Sequence, residues 1–93
     1  MSKIWSEDDR VWLTLERLAA VLSEDGLVLD PGAFMYMATV AGPDATPVRL
    51  FKHNDTRRYL NLDEAGHAYR YRYCSDDYEL FPSLLDAVTH ALS

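Results

Sequence analysis

The sequence holds one cysteine, three histidines, four glycines and four prolines in 93 residues, and each scarcity removes a class of chemistry. Cys74 cannot close an intramolecular disulfide by itself, so an apolar core has to hold the fold, as in proteins of a reducing compartment. His53, His67 and His90 share no short Cys/His or His/carboxylate spacing, so neither a metal site nor a cofactor is expected. Cys74 and His67 lie an odd number of residues apart on one expected strand, point to opposite faces and make no nucleophile pair. Gly26, Gly32, Gly42 and Gly66 stand alone, which excludes a glycine-rich phosphate loop. Long apolar runs are lacking too. The most weakly charged stretch, Pro31 to Val48, is interrupted by Gly42, Pro43 and Asp44, and nothing approaches the roughly 18 apolar residues of a membrane span. Met1 to Asp9 has no basic start leading into an apolar stretch and a small-residue cleavage site, so no secretory signal and a cytoplasmic location are expected.

What is present is an ordinary globular balance. Hydrophobic residues make up 48% and charged residues 26%, and the length suits one domain, 1–93, large enough to bury its own core. Ser6, with Asp9 three residues on, reads as the cap of a helix over 6–24, whose apolar face is Val11, Leu15, Leu18 and Leu22. Gly26 is the expected residue beyond its end, with Leu27 making the closing contact. Ala33 to Ala41 is uncharged on both alternating faces and reads as a central strand covered on both sides. Strands are expected over 48–53, 57–62 and 67–74, the last two joined by the Asp63-Glu64-Ala65-Gly66 turn, with a short extended piece over 78–81. Pro82 and Ser83 open a final helix over 82–92, with Asp86 as the box partner. The expected order is an N-terminal helix, three to four antiparallel strands and a C-terminal helix, an α+β domain with both helices packed on one sheet face.

Basic residues are the remaining shortage. Nine Lys and Arg face 15 Asp and Glu, for a net charge of −6, and the imbalance is uneven along the chain. Residues 1–47 carry eight acids and three bases, residues 48–72 three acids and six bases, and residues 73–93 four acids and no base. The basic segment ends in His67-Ala-Tyr-Arg-Tyr-Arg-Tyr-Cys, which alternates Tyr69, Tyr71 and Tyr73 with Arg70 and Arg72. The tyrosines are expected to line the core beneath the helices, and the arginines to form a solvated face paired with Asp and Glu.

Gly32-Ala-Phe34, the strands after it and Phe81-Pro-Ser-Leu-Leu-Asp-Ala-Val resemble the helix, strand, strand, strand, helix order of SH2 domains. That family has a similar Gly-x-Phe at its first strand and Phe-x-Ser-Leu at its last helix. Met37 stands where its phosphate-binding arginine lies, so the resemblance implies an order of elements without phosphotyrosine binding, and no family is assigned on it.

The adjacent carboxylates Asp8–Asp9, Asp63–Glu64 and Asp76–Asp77 diverge on helices or turns, so no catalytic residues and no enzyme activity are expected. The favoured expectation is a small acidic interaction protein, in the manner of an inhibitor, an immunity protein or an anti-CRISPR-like protein. It would present Glu7, Asp8, Asp9, Asp76, Asp77 and Glu79 to the basic surface of a partner protein. The alternative is a small anion- or nucleic-acid-binding module acting through Arg49, Arg70 and Arg72, with Arg57 or Arg58 in a secondary place. Net negative charge and the placing of Tyr and Arg on opposite strand faces count against nucleic acid. A third alternative is a homodimer joined through an edge strand or through Met35, Tyr36 and Trp12.

Overall fold

Leu15, Leu18 and Leu22 recur at helical spacing, and in the computed structural model they form the buried stripe of α1, Ser2–Glu24. The structure describes the backbone of residues 2–93 and the side chains of residues 11–93. The helix starts ahead of the expected Ser6 cap because Lys3-Ile4-Trp5 contains no helix breaker, and propensity extends the helix past the capping signal. Its other end follows the sequence signal. Gly26 adopts φ +81°, the Leu27 N–H donates to the Leu22 carbonyl at 2.9 Å, and the Gly26 N–H donates to the Ser23 carbonyl at 3.1 Å.

After a short 3-10 turn capped by Asp30, five strands follow in antiparallel meander: β1 Phe34–Ala41, β2 Pro47–His53, β3 Tyr59–Leu62, β4 Ala68–Arg72 and β5 Asp77–Leu80. The sheet has five strands, against the three to four expected, because the extended piece after Asp76 pairs with β4 from Arg72↔Asp77 to Tyr69↔Leu80. Helix α2, Leu84–Leu92, completes an α+β architecture and begins at the expected cap, where the Ser83 hydroxyl accepts the Asp86 N–H at 3.0 Å. Five strands in sequence order also depart from the three-strand SH2 pattern. Among the described residues, no helix is long and apolar enough to cross a membrane.

β1 is an edge strand, not the doubly covered central strand its composition suggests. Lack of charge lets a strand be buried but does not bury it. Only Phe34 in β1 is fully buried, while Met35 and Met37 are exposed and Met37 is the extra residue of a β-bulge between Tyr36 and Ala38.

The core is one cluster that joins Leu15, Leu18 and Leu22 of α1, Ala87, Val88 and Ala91 of α2, and Phe51, Leu60, Leu62 and Ala68 of the sheet. Both helices therefore pack on the sheet face that carries Phe51 and Leu62. Trp12 lies 5.1 Å from Phe51, ring to ring, and the Thr56 hydroxyl donates to the Ala91 carbonyl at 2.6 Å, tying the end of α2 to the β2–β3 turn. The pairing Leu62↔Ala68 puts Ala68, and by alternation Arg70 and Arg72, on the helix side of β4. Tyr69 and Tyr71 thus stand on the helix-free side, and Tyr73 lies beyond the strand end at 87% exposure. The expectation that these tyrosines line the helix-covered core is overturned by that register.

Candidate functional site

Strand pairing fails at one place inside the sheet. β2 pairs with β3, and β4 with β5, along four positions each, but β3 and β4 share only Asn61↔Tyr69 and Leu62↔Ala68. Tyr59 and Leu60 have no partner on β4, and Arg70 to Arg72 pair with β5 alone. The strands part like a fork, and a cleft of about 780 Å³ opens between the prongs. Leu50, Arg57, Arg58 and Tyr59 line one side, while Arg70, Tyr71, Tyr73 and Tyr78 line the other. Asn61 sits at the apex, and Phe81 and His90, with rings 5.9 Å apart, border it from the α2 side.

The β2–β3 turn projects the two consecutive arginines. The His53 N–H donates to the Arg58 carbonyl at 2.8 Å, the Arg57 N–H donates back to the His53 carbonyl at 3.0 Å, and Arg57 takes φ +66°. His53 itself is buried, and its Nδ1 accepts the Asp55 and Thr56 N–H groups at 3.2 Å, so it fixes the turn that carries Arg57.

The opposite wall is aromatic. Tyr71 meets Tyr73 edge-on at 4.7 Å and Tyr78 at 5.2 Å between centroids. The Tyr71 hydroxyl donates to Asp76, which pushes its pKa up to about 12. Burial, followed by the nearby Tyr59, Asp76 and Tyr73, raises the Tyr78 hydroxyl above its ordinary value.

No carboxylate belongs to the lining, which holds Arg57, Arg58 and Arg70. Arg70 is engaged by Glu79 at 2.6 Å and lies 5.6 Å from the Phe81 ring centroid. Among the described residues, no carboxylate is within ion-pair distance of Arg57 or Arg58. At the apex, Asn61 is 5% exposed; its Nδ2 donates to the Tyr69 carbonyl at 3.2 Å, and its Oδ1 is buried with no donor among the described residues.

The expected acidic and basic site residues meet each other. Arg72 pairs with Asp77 at 2.7 Å and with Glu79 at 3.5 Å, alongside the Arg70–Glu79 pair, so half of the proposed partner-binding acids are engaged by the proposed anion-binding bases or, for Asp76, by Tyr71. The hydrogen bond and charge of Arg72 hold the Asp77 carboxyl below its usual value. Glu7, Asp8 and Asp9 lie on α1, and their side chains are outside the described residues. Arg49 is not part of the cleft. It shares the Phe51 side of β2, is 15% exposed, and reaches Glu64 at 3.4 Å. Sequence reading gave Arg57 and Arg58 only a secondary place; the available signal was Arg-Arg-Tyr directly after a tight turn.

A second polar cluster closes the β3–β4 hairpin. Asp63 accepts the His67 N–H at 2.9 Å and the Tyr69 hydroxyl at 2.9 Å, with the His67 ring at 3.3 Å. Cys74 is exposed, and among the described residues no group of three or more His, Cys, Asp or Glu side chains is placed to hold a metal. Comparison of the chain with protein-family models, with curated proteins and with solved structures finds no match.

Proposed function

We propose that the protein is a non-enzymatic binding module that takes a small anionic ligand into the forked cleft. The observation that carries this reading is the carboxylate-free lining, in which Arg57 and Arg58 face the opening with no ion-pair partner among the described residues. Arginines left without carboxylate partners beside a concave surface offer fork-shaped donors for phosphate or carboxylate oxygens. The reading as an inhibitor, immunity or anti-CRISPR-like protein docking through its acids draws on less, because Asp76, Asp77 and Glu79 already satisfy partners within the sheet. Titration calorimetry with inorganic phosphate and ribose 5-phosphate at low and moderate salt tests the proposal. Binding should weaken with salt and fall about tenfold or more in Arg57→Ala/Arg58→Ala, as expected for loss of charged hydrogen bonds. Equal binding by the double variant would move the site elsewhere.

A second reading is self-association through β1, favoured by an uncharged edge strand with exposed Met35 and Met37. Sedimentation of the wild type and of Met35→Lys tests it. A concentration-dependent dimer lost in the variant supports pairing along this edge, and a monomer at high concentration removes it.

A further inference from the structure

We infer that the ligand of the cleft is a mononucleotide, held with its phosphate against Arg57 and Arg58 and its base against the tyrosine wall. This rests on the proposed anion binding and adds the second half of the ligand. In a continuous sheet, alternation would keep Arg70 and Tyr71 on opposite surfaces. The fork removes that separation, because side chains from both faces of β4 border the same opening.

The two walls differ in kind. The Arg57–Arg58 side carries positive charge with no carboxylate partner among the described residues, and on the other side Tyr71 contacts both Tyr73 and Tyr78. A ligand that matches both is an anion at one end and a flat π-system at the other. Tyr73, at 87% exposure, leaves most of its ring free to stack, and electron-rich rings of this kind accept any base.

Size and charge select a monomer over a polymer. A cleft of about 780 Å³ suits one small molecule. Asp76 and Glu79, bonded to Tyr71 and Arg70, place carboxylates beside the aromatic wall, and the chain as a whole carries −6. A polynucleotide running on from the cleft would bring its next phosphates against that negative surface.

Calorimetry on the full chain with adenosine, guanosine, cytidine and uridine 5′-monophosphates, ribose 5-phosphate and a ten-nucleotide oligoadenylate separates the outcomes. At least one mononucleotide should bind about tenfold or more tighter than ribose 5-phosphate. Tyr73→Ala, at an exposed position the core does not need, should erase that advantage and bring the mononucleotides down to the affinity of ribose 5-phosphate. Arg57→Ala/Arg58→Ala should weaken both ligands. If no mononucleotide exceeds ribose 5-phosphate while ribose 5-phosphate still binds, the base-stacking inference is overturned and the anion proposal survives. If none of the phosphates binds at low salt, both fall. If the oligoadenylate binds much more tightly than every mononucleotide, the site is a polymer site and the inference is wrong.

Discussion

Asp63 is buried and yet ionised. Burial drives its carboxyl pKa upward, but hydrogen bonds from the His67 backbone, the Tyr69 hydroxyl and the His67 ring outweigh that effect and hold it below the ordinary 3.8. A carboxyl whose folded pKa lies below its unfolded value stabilises the fold fully above the unfolded value, and the contribution is lost as pH falls through the folded one. Asp63→Asn removes the charge from these bonds and should cost about 2 kcal/mol near neutral pH by denaturant unfolding. The deficit should shrink as pH falls below 3.8 and through the lower folded pKa of Asp63, where the native carboxyl is protonated as well. Tyr71 gives a second test at the other end of the pH scale. Its tyrosinate absorbance should develop only near pH 12, and Asp76→Asn should return that transition toward 10. These two acids sit in turns, and sequence reading treated both as turn residues. It was right about the local backbone and wrong about Tyr69 and Tyr71, which it placed beneath the helices, because which phenol reaches which carboxylate depends on the strand register beyond the turn.

At the scale of elements, local signals were legible and lateral ones were not. Ser83 with Asp86, Gly26 with Leu27, and the Gly66 hairpin each state their geometry within a few residues, and each occurs where expected. Whether a strand is central or marginal depends on what lies beside it, and Phe34–Ala41 shows that an uncharged strand can still form an edge. The loop after β1 depends on a close approach. A Cβ on Gly42 would lie 2.6 Å from Val48 Cγ2, and Val48 is fully buried. Gly42→Ala should therefore destabilise the fold by about 1–3 kcal/mol through overpacking. Gly26→Ala meets no atom within 4 Å but must hold φ +81°, so it should cost about 1–2 kcal/mol through backbone strain alone. Thermal unfolding of the two variants distinguishes these origins when Val48→Ala is added. The smaller Val48 side chain should relieve much of the Gly42→Ala cost and none of the Gly26→Ala cost.

For the whole molecule, the segregation of charge along the sequence was the informative feature, and folding changes its meaning. The basic segment and the acidic C-terminal segment become neighbouring strands in the register Arg70↔Glu79 and Arg72↔Asp77, so two of the six bases and two of the four acids pair with each other across the sheet. Of the basic segment, Arg57 and Arg58 of the β2–β3 turn and Lys52 of β2 are left without a carboxylate partner among the described residues. No count along the chain could single them out, because the remainder depends on which residues pair. If the cleft binds a mononucleotide, folding and binding are linked. Ligand at a hundred times its dissociation constant should stabilise the native state by about 2.7 kcal/mol. In a domain of this size that raises the melting temperature by about 10 °C or more, which a thermal scan reads directly.

The parting of β3 from β4 also changes how many margins the sheet has. An open meander has two outer borders, where another chain can add a strand. This one has two more, facing each other across the gap along Tyr59–Leu60 and Arg70–Arg72. Each inner border is bonded to a neighbouring strand on its other side, β2 or β5, and lacks a sheet partner only toward the gap. Of the two outer borders, β1 is the uncharged one, since β5 carries Asp77 and Glu79.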